Sequence, residues 1–453
     1  MPKRKVDGVL PGVSAIVPTE LDLFSDRPQN HAVTSAEWLR LKPINSIAGT
    51  SVTHLEFVST GETSRYRNLE NVYLRIRVRL TDGAGQALPS AASDAKVALI
   101  NNSLHSMISS VNCYMNGTDV AQSSDHYDYN AYIQTTLGFS ALHSYERLSA
   151  EGHYPVPDKI FGDSNSLDES SWTTNLDDNR GLKWRYNSTK DGRVFELYGK
   201  LLLDISTARH YIPNNIDMRF KINLNDPTFC LLSDKAGTPK IAIDDATLYT
   251  QVLSINPSLQ LANERLFQLN KMSAHFKRTQ LKQFVIPSGV RSYNLSNVWV
   301  GDCPRLVLLV MVDQNAASGD LLKNPMVFKH YSLNSIVFDV GGKQIKIAGL
   351  DFTNGKELFT QAYVELYKAL NLHRTSEATL SMFDYIYGRF ILGADLSSTL
   401  EGLNHDYAPA PVGSLRIDAE FGIALPNAIT VIVAGIFDST LYIDRDRNVT
   451  YTI

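Results

Sequence analysis

The sequence predicts an all-β protein built from two similar domains in tandem, and three observations lead to this prediction. Short strand patterns separated by turn residues dominate the chain, helical patterns are few, and a set of short motifs occurs twice in the same order. Many short strands with few helices indicate two sandwiches or barrels rather than a parallel sheet. The length of 453 residues also suits two domains of ordinary size.

The strongest repeat is the segment from His105 to Gly117, which returns as His330 to Gly342. The offset is 225 residues throughout (330 − 105), close to half the chain length. In both copies the apolar residues keep mostly to alternate positions and a glycine closes the segment. This pattern is typical of a half-buried strand that ends in a turn. A strand that occurs twice predicts a domain that occurs twice.

Five further motif pairs are collinear with this one and support the duplication. The pairs are Asn68–Tyr73 with Asn294–Trp299, Ala131–Ile133 with Ala362–Val364, Tyr198–Lys200 with Tyr387–Arg389, Ile216–Phe220 with Ile417–Phe421, and Asp245–Tyr249 with Asp438–Tyr442. The second pair lies in helical patterns that follow the repeated strand in both copies. The spacing then predicts a longer segment in the first copy, a polar loop at about residues 151–193. Its tryptophans, Trp172 and Trp184, favour a packed or partner-facing loop.

The predicted domain boundaries follow from composition and punctuation. Residues 1–40 contain four prolines and no sustained periodicity, which predicts an extended N-terminal arm. Residues 41–255 form the first predicted domain and residues 256–453 the second. A helix from Asn256 to about Lys271, with Leu266 and Leu269 facing inward, is expected to join them.

The arm begins with a short basic cluster, Lys3, Arg4 and Lys5. Three roles fit such a cluster: a nuclear-import signal, contact with nucleic-acid phosphates, or simple solvation of the terminus. Three charges do not decide between these roles. Contact with phosphates becomes effective when many copies act together.

The clearest single strand runs from Val72 to Leu80, where aliphatic residues alternate with Tyr73, Arg75, Arg77 and Arg79. A period of two places the aliphatic side in a core and the arginines on the opposite face. That face suits an anion, a partner subunit or bulk solvent, and solvent is the expected state for a charged sheet face.

Composition narrows the function classes. A net charge of −4 and a pI near 6.3 give no overall attraction to nucleic acid or to an anionic membrane. The cysteines, Cys113, Cys230 and Cys303, are odd in number and far apart, which favours reduced thiols inside a cell. The longest apolar runs are too short to cross a bilayer, so no membrane-spanning segment is expected.

Motifs of common enzyme classes are missing from the sequence. It contains no phosphate-binding glycine loop, no nucleophile elbow and no zinc-binding His-Glu-x-x-His. No catalytic, cofactor-binding or metal-binding residue is therefore predicted, and no cofactor. His105 and His330 are expected to be structural. Asp444, Asp446 and Asn448 begin like a calcium loop but lack its later ligands, so they are expected to form a charged strand end.

Several segments resemble the major capsid proteins of Polinton (Maverick) elements and adintoviruses, which belong to the double jelly-roll capsid lineage. The resemblance spans about residue 37 to the end. The segments are Val97–Met107, Asn112–Gly117, Tyr129–Tyr132, Asp217–Lys221, Phe229–Leu231, Asn324–His330 and Ile443–Val449.

The resemblance implies two tandem eight-stranded antiparallel jelly rolls with short helices in the loops. It also implies a homotrimer that forms a pseudo-hexameric capsomer, which tiles an icosahedral shell. In such a capsomer the long loop with Trp172 and Trp184 would point outward. The implied partners are other copies of the chain, penton or minor capsid proteins and, through the arm, genome DNA. The chain would then reside in the virion and assemble in the nucleus or cytoplasm of the host cell.

Three alternatives stay open from the sequence. The first is a scaffold or minor capsid protein of the same lineage. The second is a two-domain carbohydrate-binding protein, because jelly rolls are common in lectins. The third is a cupin-like enzyme, for which the sequence offers no His-x-His ligand pair.

Overall fold

The computed structural model of the protein describes most of the chain, and strands dominate it. The described residues are 31–47, 52–88, 95–120, 126–140, 146–154, 180–372, 380–398 and 411–452. The strands form two β-sandwiches that follow one another in sequence.

The first sandwich contains two four-stranded sheets and a short additional pair. Its strands are β1 (Val33–Leu41), β2 (His54–Ser59), β3 (Arg65–Thr81), β4 (Val97–Leu99), β5 (Ile108–Met115), β6 (Thr118–Asp119), β7 (Phe195–Lys200), β8 (Met218–Leu224), β9 (Leu231–Ser233) and β10 (Lys240–Ile255). The larger sheets have the strand orders β1-β10-β3-β7 and β2-β8-β5-β6, and β4 pairs with β9.

The second sandwich has the same plan. Its strands are β11 (Met272–Ile286), β12 (Ser292–Leu295), β13 (Val300–Asp302), β14 (Leu306–Asp313), β15 (Leu333–Val340), β16 (Lys343–Ile347), β17 (Ile391–Asp395), β18 (Val412–Phe421), β19 (Ile429–Ile443) and β20 (Val449–Tyr451). The sheets have the orders β11-β19-β14-β17 and β12-β18-β15-β16, with β20 added to β19 and β13 added to β18.

Short helices lie in the connections. They are α1 (Ser103–Ser106), α2 (Tyr127–Gly138), α3 (Arg180–Thr189), α4 (Pro227–Cys230), α5 (Pro257–Leu269), α6 (Gln314–Ala317), α7 (Thr360–Ala369) and α8 (Met382–Ile386).

The strand order identifies both sandwiches as jelly rolls. When the eight main strands of each sandwich are counted in chain order, both have one sheet ordered one-eight-three-six and another ordered two-seven-four-five. Neighbouring main strands pair in antiparallel fashion throughout both sandwiches. This is the double Greek-key arrangement. The predicted fold class, two tandem eight-stranded antiparallel jelly rolls with short helices in the loops, is confirmed.

The alternating pattern of the sequence builds the core between the sheets. In β3 the side chains of Leu74, Ile76 and Val78 are buried, while the arginines between them lie on the opposite face. Phe57 and Phe338 are fully buried in the facing sheets of the first and second roll, respectively. Burial of this apolar surface is the main stabilising contribution to each roll.

The repeated strand is confirmed residue by residue. β5 and β15 have bounds that differ by 225 at both ends, and each is the fourth main strand of its roll. The motifs Ala131–Ile133 and Ala362–Val364 also lie on equivalent helices, α2 and α7. The duplication is therefore a structural repeat.

Two other motif pairs do not match in the structure: one is out of register, and the other lies at positions that are not equivalent. Phe220 pairs with Cys113, whereas Ile417 pairs with Phe338 at the equivalent position, so the match along β8 and β18 is four residues out of register. Tyr198–Lys200 lies in β7, but Tyr387–Arg389 precedes β17. The two motifs are therefore not equivalent, because hydrogen-bond pairing defines which strands correspond. The shared aromatic-glycine motif is a chance recurrence.

The pair Asn68–Tyr73 with Asn294–Trp299 is also not equivalent. The first motif lies inside β3, whereas the second spans the end of β12 and the connection that follows it. The third main strand of the second roll, β14, begins only at Leu306. β3 is therefore longer at its start than its counterpart.

The boundaries differ from the sequence prediction at two places. Residues 33–41 are strand β1, hydrogen-bonded to β10 from Val33 onward, so the last part of the predicted 1–40 arm belongs to the first sheet. Residues 180–189 of the predicted 151–193 loop are helix α3. Its side chains Leu182 and Tyr186 are buried in the first roll.

The helix between the rolls lies where the sequence predicts it, but its apolar residues point elsewhere. α5 begins at Pro257 after an Asn256 cap and ends at Leu269. None of its residues is buried, and Leu266 and Leu269 are 56% and 79% exposed, so the prediction that they face inward is wrong. Apolar spacing predicts a helix but does not show whether another element covers its apolar side.

The rolls contact each other along β11, the first strand of the second roll. The backbone N–H of Thr279 donates to Asp204 Oδ2 at 2.9 Å, and that of Lys277 donates to Thr207 Oγ1 at 3.2 Å. Asp204–Thr207 is a 3-10 turn between β7 and β8. β11 lies at the edge of its sheet, so this turn satisfies N–H groups that have no partner strand.

Arg447 forms a second contact between the rolls. Its guanidinium donates to the Asn214 carbonyl at 3.1 Å and to Asn214 Oδ1 at 2.7 Å, and it also pairs with Glu264 of α5 at 2.5 Å. It lies 4.3 Å from the centre of the Phe267 ring. Asn116 Nδ2 donates to the Arg447 carbonyl at 2.9 Å. One side chain therefore joins the first roll, the connecting helix and the second roll.

The junction predicts a specific pH dependence. Burial raises the pKa of Asp204 to about 7, although the Thr279 N–H and the charge of Arg278 oppose this shift. The folded state therefore binds a proton that the unfolded chain releases near pH ~4, so this contribution to stability is present at low pH and is lost as pH rises through 7.

For the variant Asp204→Asn, we expect this dependence to disappear. The free energy of unfolding of the wild-type protein, relative to that of Asp204→Asn, should fall by about 3 kcal/mol between pH 5 and pH 8. Urea unfolding at several pH values measures this difference, and Asp244→Asn on the exposed sheet face is the control. A difference that stays constant or rises with pH would contradict the raised pKa.

Candidate assembly surfaces

The two ends of each roll differ because successive main strands run in opposite directions. In the first roll, β3 ends and β5, β7 and β10 begin at one end, which we call the loop end. Residue 31, which precedes β1, and the turn after β5 lie at the other end, which we call the terminal end. Hydrogen bonds support this grouping. At the loop end the Asn101 side-chain amide donates to the Tyr154 carbonyl, and at the terminal end the Asp217 N–H donates to Asn116 Oδ1.

The predicted functional residues fall at different places. Lys3, Arg4, Lys5 and Trp172 lie outside the described residues. Trp184 is on helix α3, with its ring centre 5.1 Å from that of Phe195. It also lies 5.4 Å from the ring of Tyr154 and is 36% exposed, so it is partly packed against the first roll.

The matched histidines have different surroundings. His105 is buried, with Nδ1 2.9 Å from the Tyr127 hydroxyl and Nε2 3.2 Å from Glu151 Oε2. His330 stacks on Phe352 with ring centres 3.8 Å apart, and burial lowers its pKa to about 4. Both side chains stabilise the segment that leads into the repeated strand.

Within the described ranges, no group of three or more His, Cys, Asp or Glu residues is arranged to hold a metal ion. The three cysteines are buried and unpaired with one another, and burial raises the pKa of each thiol. Asp444 is hydrogen-bonded to Asn448 in a turn between β19 and β20. No helix in these ranges is both long and apolar enough to cross a membrane.

A row of exposed and half-buried aromatic residues crosses the outer face of the first sheet. It consists of Trp38 on β1, Tyr249 on β10, Tyr73 on β3 and Tyr198 on β7, and we call it the aromatic wall. Ring centres are 5.7 Å apart for Trp38 and Tyr73, 5.6 Å for Tyr73 and Tyr198, and 5.7 Å for Tyr198 and Tyr249. Aromatic side chains provide large contact area with little loss of side-chain entropy, so such a row suits protein recognition.

The arginines predicted on this face are there, and each is paired with an acid on a neighbouring strand. The pairs are Arg75 with Asp245 at 2.9 Å, Arg77 with Glu196 at 2.5 Å, and Arg79 with Asp244 at 2.7 Å. Hydrogen bonds to Glu196 and Asp244 raise the pKa values of Arg77 and Arg79, respectively. These cross-strand pairs link β3 to its neighbours β7 and β10.

The arginines were predictable from the sequence, but the wall was missed. Tyr73 has the same parity along β3 as Arg75, which was the available signal. Trp38, Tyr198 and Tyr249 come from strands whose places in this sheet the sequence does not reveal.

The second roll has an exposed apolar pair at its terminal end. Val300 on β13 and Val412 on β18 are 71% and 73% exposed. Their strands pair with each other, Val300 opposite Ser414 and Val412 opposite Asp302. The carbonyl of Val412 also lies beside the turn at Gly341, which corresponds to the turn at Asn116 in the first roll.

A cavity of about 770 Å³ opens at the loop end of the second roll. His330, Tyr331, Phe383, Tyr387 and Ile423 are among its lining residues. Tyr331 and Ser332 both have left-handed backbone conformations, with φ of 44° and 54°. The cavity is bounded by connections that precede β15, β17 and β19, so it lies away from the apolar valine pair.

Comparison by sequence finds a similar protein but no family. No family model matches the sequence. An uncharacterized protein of Caenorhabditis elegans is 22% identical over 406 residues, which is 87% of this chain and 92% of that protein.

Among solved structures, a chain of the Sputnik virophage has a TM-score of 0.60 at 12% identity and covers 97% of this chain and 93% of its own length. The mavirus major capsid protein has a TM-score of 0.54 at 9% identity, covering 100% and 97%. The Faustovirus major capsid protein has a TM-score of 0.53 at 8% identity, covering 93% and 92%. The chain therefore has, over nearly its whole length, the double jelly-roll fold that these viral proteins share.

Proposed function

We propose that the chain is a structural major capsid protein and that three copies form a pseudo-hexameric capsomer in an icosahedral shell. The observation that carries the proposal is the identical strand order of the two rolls, together with the nearly full-length match to two viral major capsid proteins. Three chains with two similar rolls each place six similar units around a threefold axis. One gene product then supplies a near-hexagonal tile.

The distribution of features along the rolls supports this proposal. The long connections of both rolls gather at the loop end, whereas the chain enters the first roll at the terminal end. In a shell whose rolls stand upright, the loop end would face outward and residues 1–30 would start on the inner side. There the arm would link neighbouring capsomers or contact genome DNA.

We further propose that the source is a Polinton (Maverick) element or an adintovirus, from the segments quoted above. Penton and minor capsid proteins would then be the other partners, with assembly in the nucleus or cytoplasm. The protein would act without catalysis. A scaffold or minor capsid role predicts, by contrast, that the chain is absent from mature shells or scarce in them.

Purification of the full chain tests the main proposal. We expect a trimer by sedimentation equilibrium and shells or hexagonal tiles by electron microscopy. A chain that stays monomeric at high concentration would contradict the capsomer. A glycan array would separate the carbohydrate-binding alternative, which predicts glycan affinity from a monomer or dimer.

Deletion of residues 2–30 should separate capsomer formation from shell formation. The deletion leaves β1 intact, so the first sheet and the trimer should form as in the full chain. Closed shells should be lost or strongly reduced in number, because the arm would no longer link neighbours. Sedimentation reports the trimer and electron microscopy counts the shells. Loss of the trimer would show that the arm belongs to the capsomer itself.

The triple variant Lys3→Ala, Arg4→Ala, Lys5→Ala tests the basic cluster. If the cluster contacts the genome, shells should form but package less DNA, and binding of the full chain to duplex DNA should lose part of its salt dependence. Nuclease-protected DNA per shell measures packaging.

The matched control removes three exposed lysines from connections at the loop end: Lys235→Ala, Lys356→Ala and Lys368→Ala. These positions would face away from the genome, so packaging should stay at the wild-type level. Packaging that falls equally in both triple variants would refute a specific role for the arm. Unchanged packaging in the arm variant, together with its retention in the cytoplasm, would assign the cluster to nuclear import.

A further inference from the structure

The contact between the two rolls provides a template for the contact between copies. Within the chain, the edge strand β11 of the second roll meets the 204–207 turn of the first roll. The turn after β5 likewise meets the end of the second roll through Asn116 and Thr118, which donate to the carbonyls of Arg447 and Val449. In the internal contact, the first roll therefore contributes the side that bears its β5–β6 turn, and the second roll contributes its first strand, β11.

The strand β11 and the turn after β5 each have a counterpart on the other roll, whereas the segment equivalent to the 204–207 turn lies largely outside the described residues. The counterpart of β11 is β1, the first strand of the first roll and also an edge strand. The counterpart of the turn after β5 is the turn at Gly341 and Gly342 after β15. In the part of the chain that the structure describes, both counterparts lie on solvent-exposed surfaces. The strand β1 carries the exposed Trp38, and the Gly341 turn lies beside the exposed Val412.

From this repeat we propose that the aromatic wall of one copy binds the Val300–Val412 side of the second roll in a neighbouring copy, head to tail. The proposal rests on the proposed capsomer and assigns the surfaces that close its ring. Repetition of the internal contact makes the interface heterologous, since two different surfaces meet.

The chemistry of the two surfaces is complementary. Trp38 is 50% exposed and Tyr198 is 41% exposed on the first surface, whereas Val300 and Val412 are 71% and 73% exposed on the second. Tryptophan, tyrosine and arginine are the residue types that most often dominate binding energy in interfaces. Burial of the four side chains would remove large exposed apolar groups from both faces.

The charges also differ in sign. Apart from Arg67, whose side chain is buried, the strands of the first sheet, β1, β3, β7 and β10, carry seven basic and five acidic residues. The strands on the proposed opposite side, β12, β13, β15, β16 and β18, carry three basic and four acidic residues. A basic surface thus faces a slightly acidic one, which favours this pairing over contact between two aromatic walls.

Two charged substitutions test the assignment. We expect Trp38→Asp and Val412→Asp each to weaken self-association by about 30-fold or more, because each places a carboxylate in an apolar contact. Phe383→Asp, at a comparably exposed apolar side chain near the loop-end cavity, is the control and should leave the trimer intact. A cooperative thermal unfolding transition, with a midpoint equal to that of the wild-type chain diluted until it is monomeric, shows that each variant folds.

Mixing the two variants gives the decisive result. Trp38→Asp retains an intact second-roll surface and Val412→Asp retains an intact wall, so a head-to-tail contact predicts a one-to-one heterodimer that grows no further. Sedimentation of the mixture measures its mass. A trimer that persists in either variant, or a mixture that stays monomeric, would overturn the surface assignment while the wild-type trimer still supports the capsomer. A wild-type monomer would instead refute the capsomer.

Discussion

The coverage of β11 by the first roll is the contact on which the arrangement of the molecule depends. An edge strand exposes unpaired backbone groups, and the protein satisfies two of those on β11 with Asp204 and Thr207. Together with the packing of Tyr132 against Phe328 and the hydrogen bond from the Ser233 N–H to the Leu321 carbonyl, this contact fixes which side of the second roll faces the first. Because the rolls share one topology, it also determines which sides of the two rolls remain for other molecules.

The junction combines this backbone contact with buried polar side chains. Arg278 is buried near Asp204, and burial lowers its pKa, while Arg447 is held by Asn214 and Glu264. A buried ion pair adds little net stability compared with an apolar contact, but loss of one partner is costly. Arg447 and its partners therefore favour one relative placement of the rolls, because a shifted placement would leave the buried Arg447 charge without these partners.

Much of the fold could be predicted from the sequence, because strand alternation and duplication are local signals. The equivalence of β5 and β15 holds at both ends, since both copies keep the same alternation and the same closing glycine. The pairing of strands distant in sequence was not predictable. For this reason the Tyr387 motif was matched wrongly, and the aromatic wall, which collects residues from four strands, was missed. Leu269 was wrongly assigned to the interior because the spacing of apolar residues does not show whether another element covers a helix.

The separation of the loop end from the terminal end gives the molecule a direction. Upright copies packed side by side would form a layer whose two surfaces are built from different parts of the chain. Insertions at the loop end would then change one surface of the layer without altering the strand pairings that hold it together. Surface variation and lattice geometry could therefore evolve independently in such a protein.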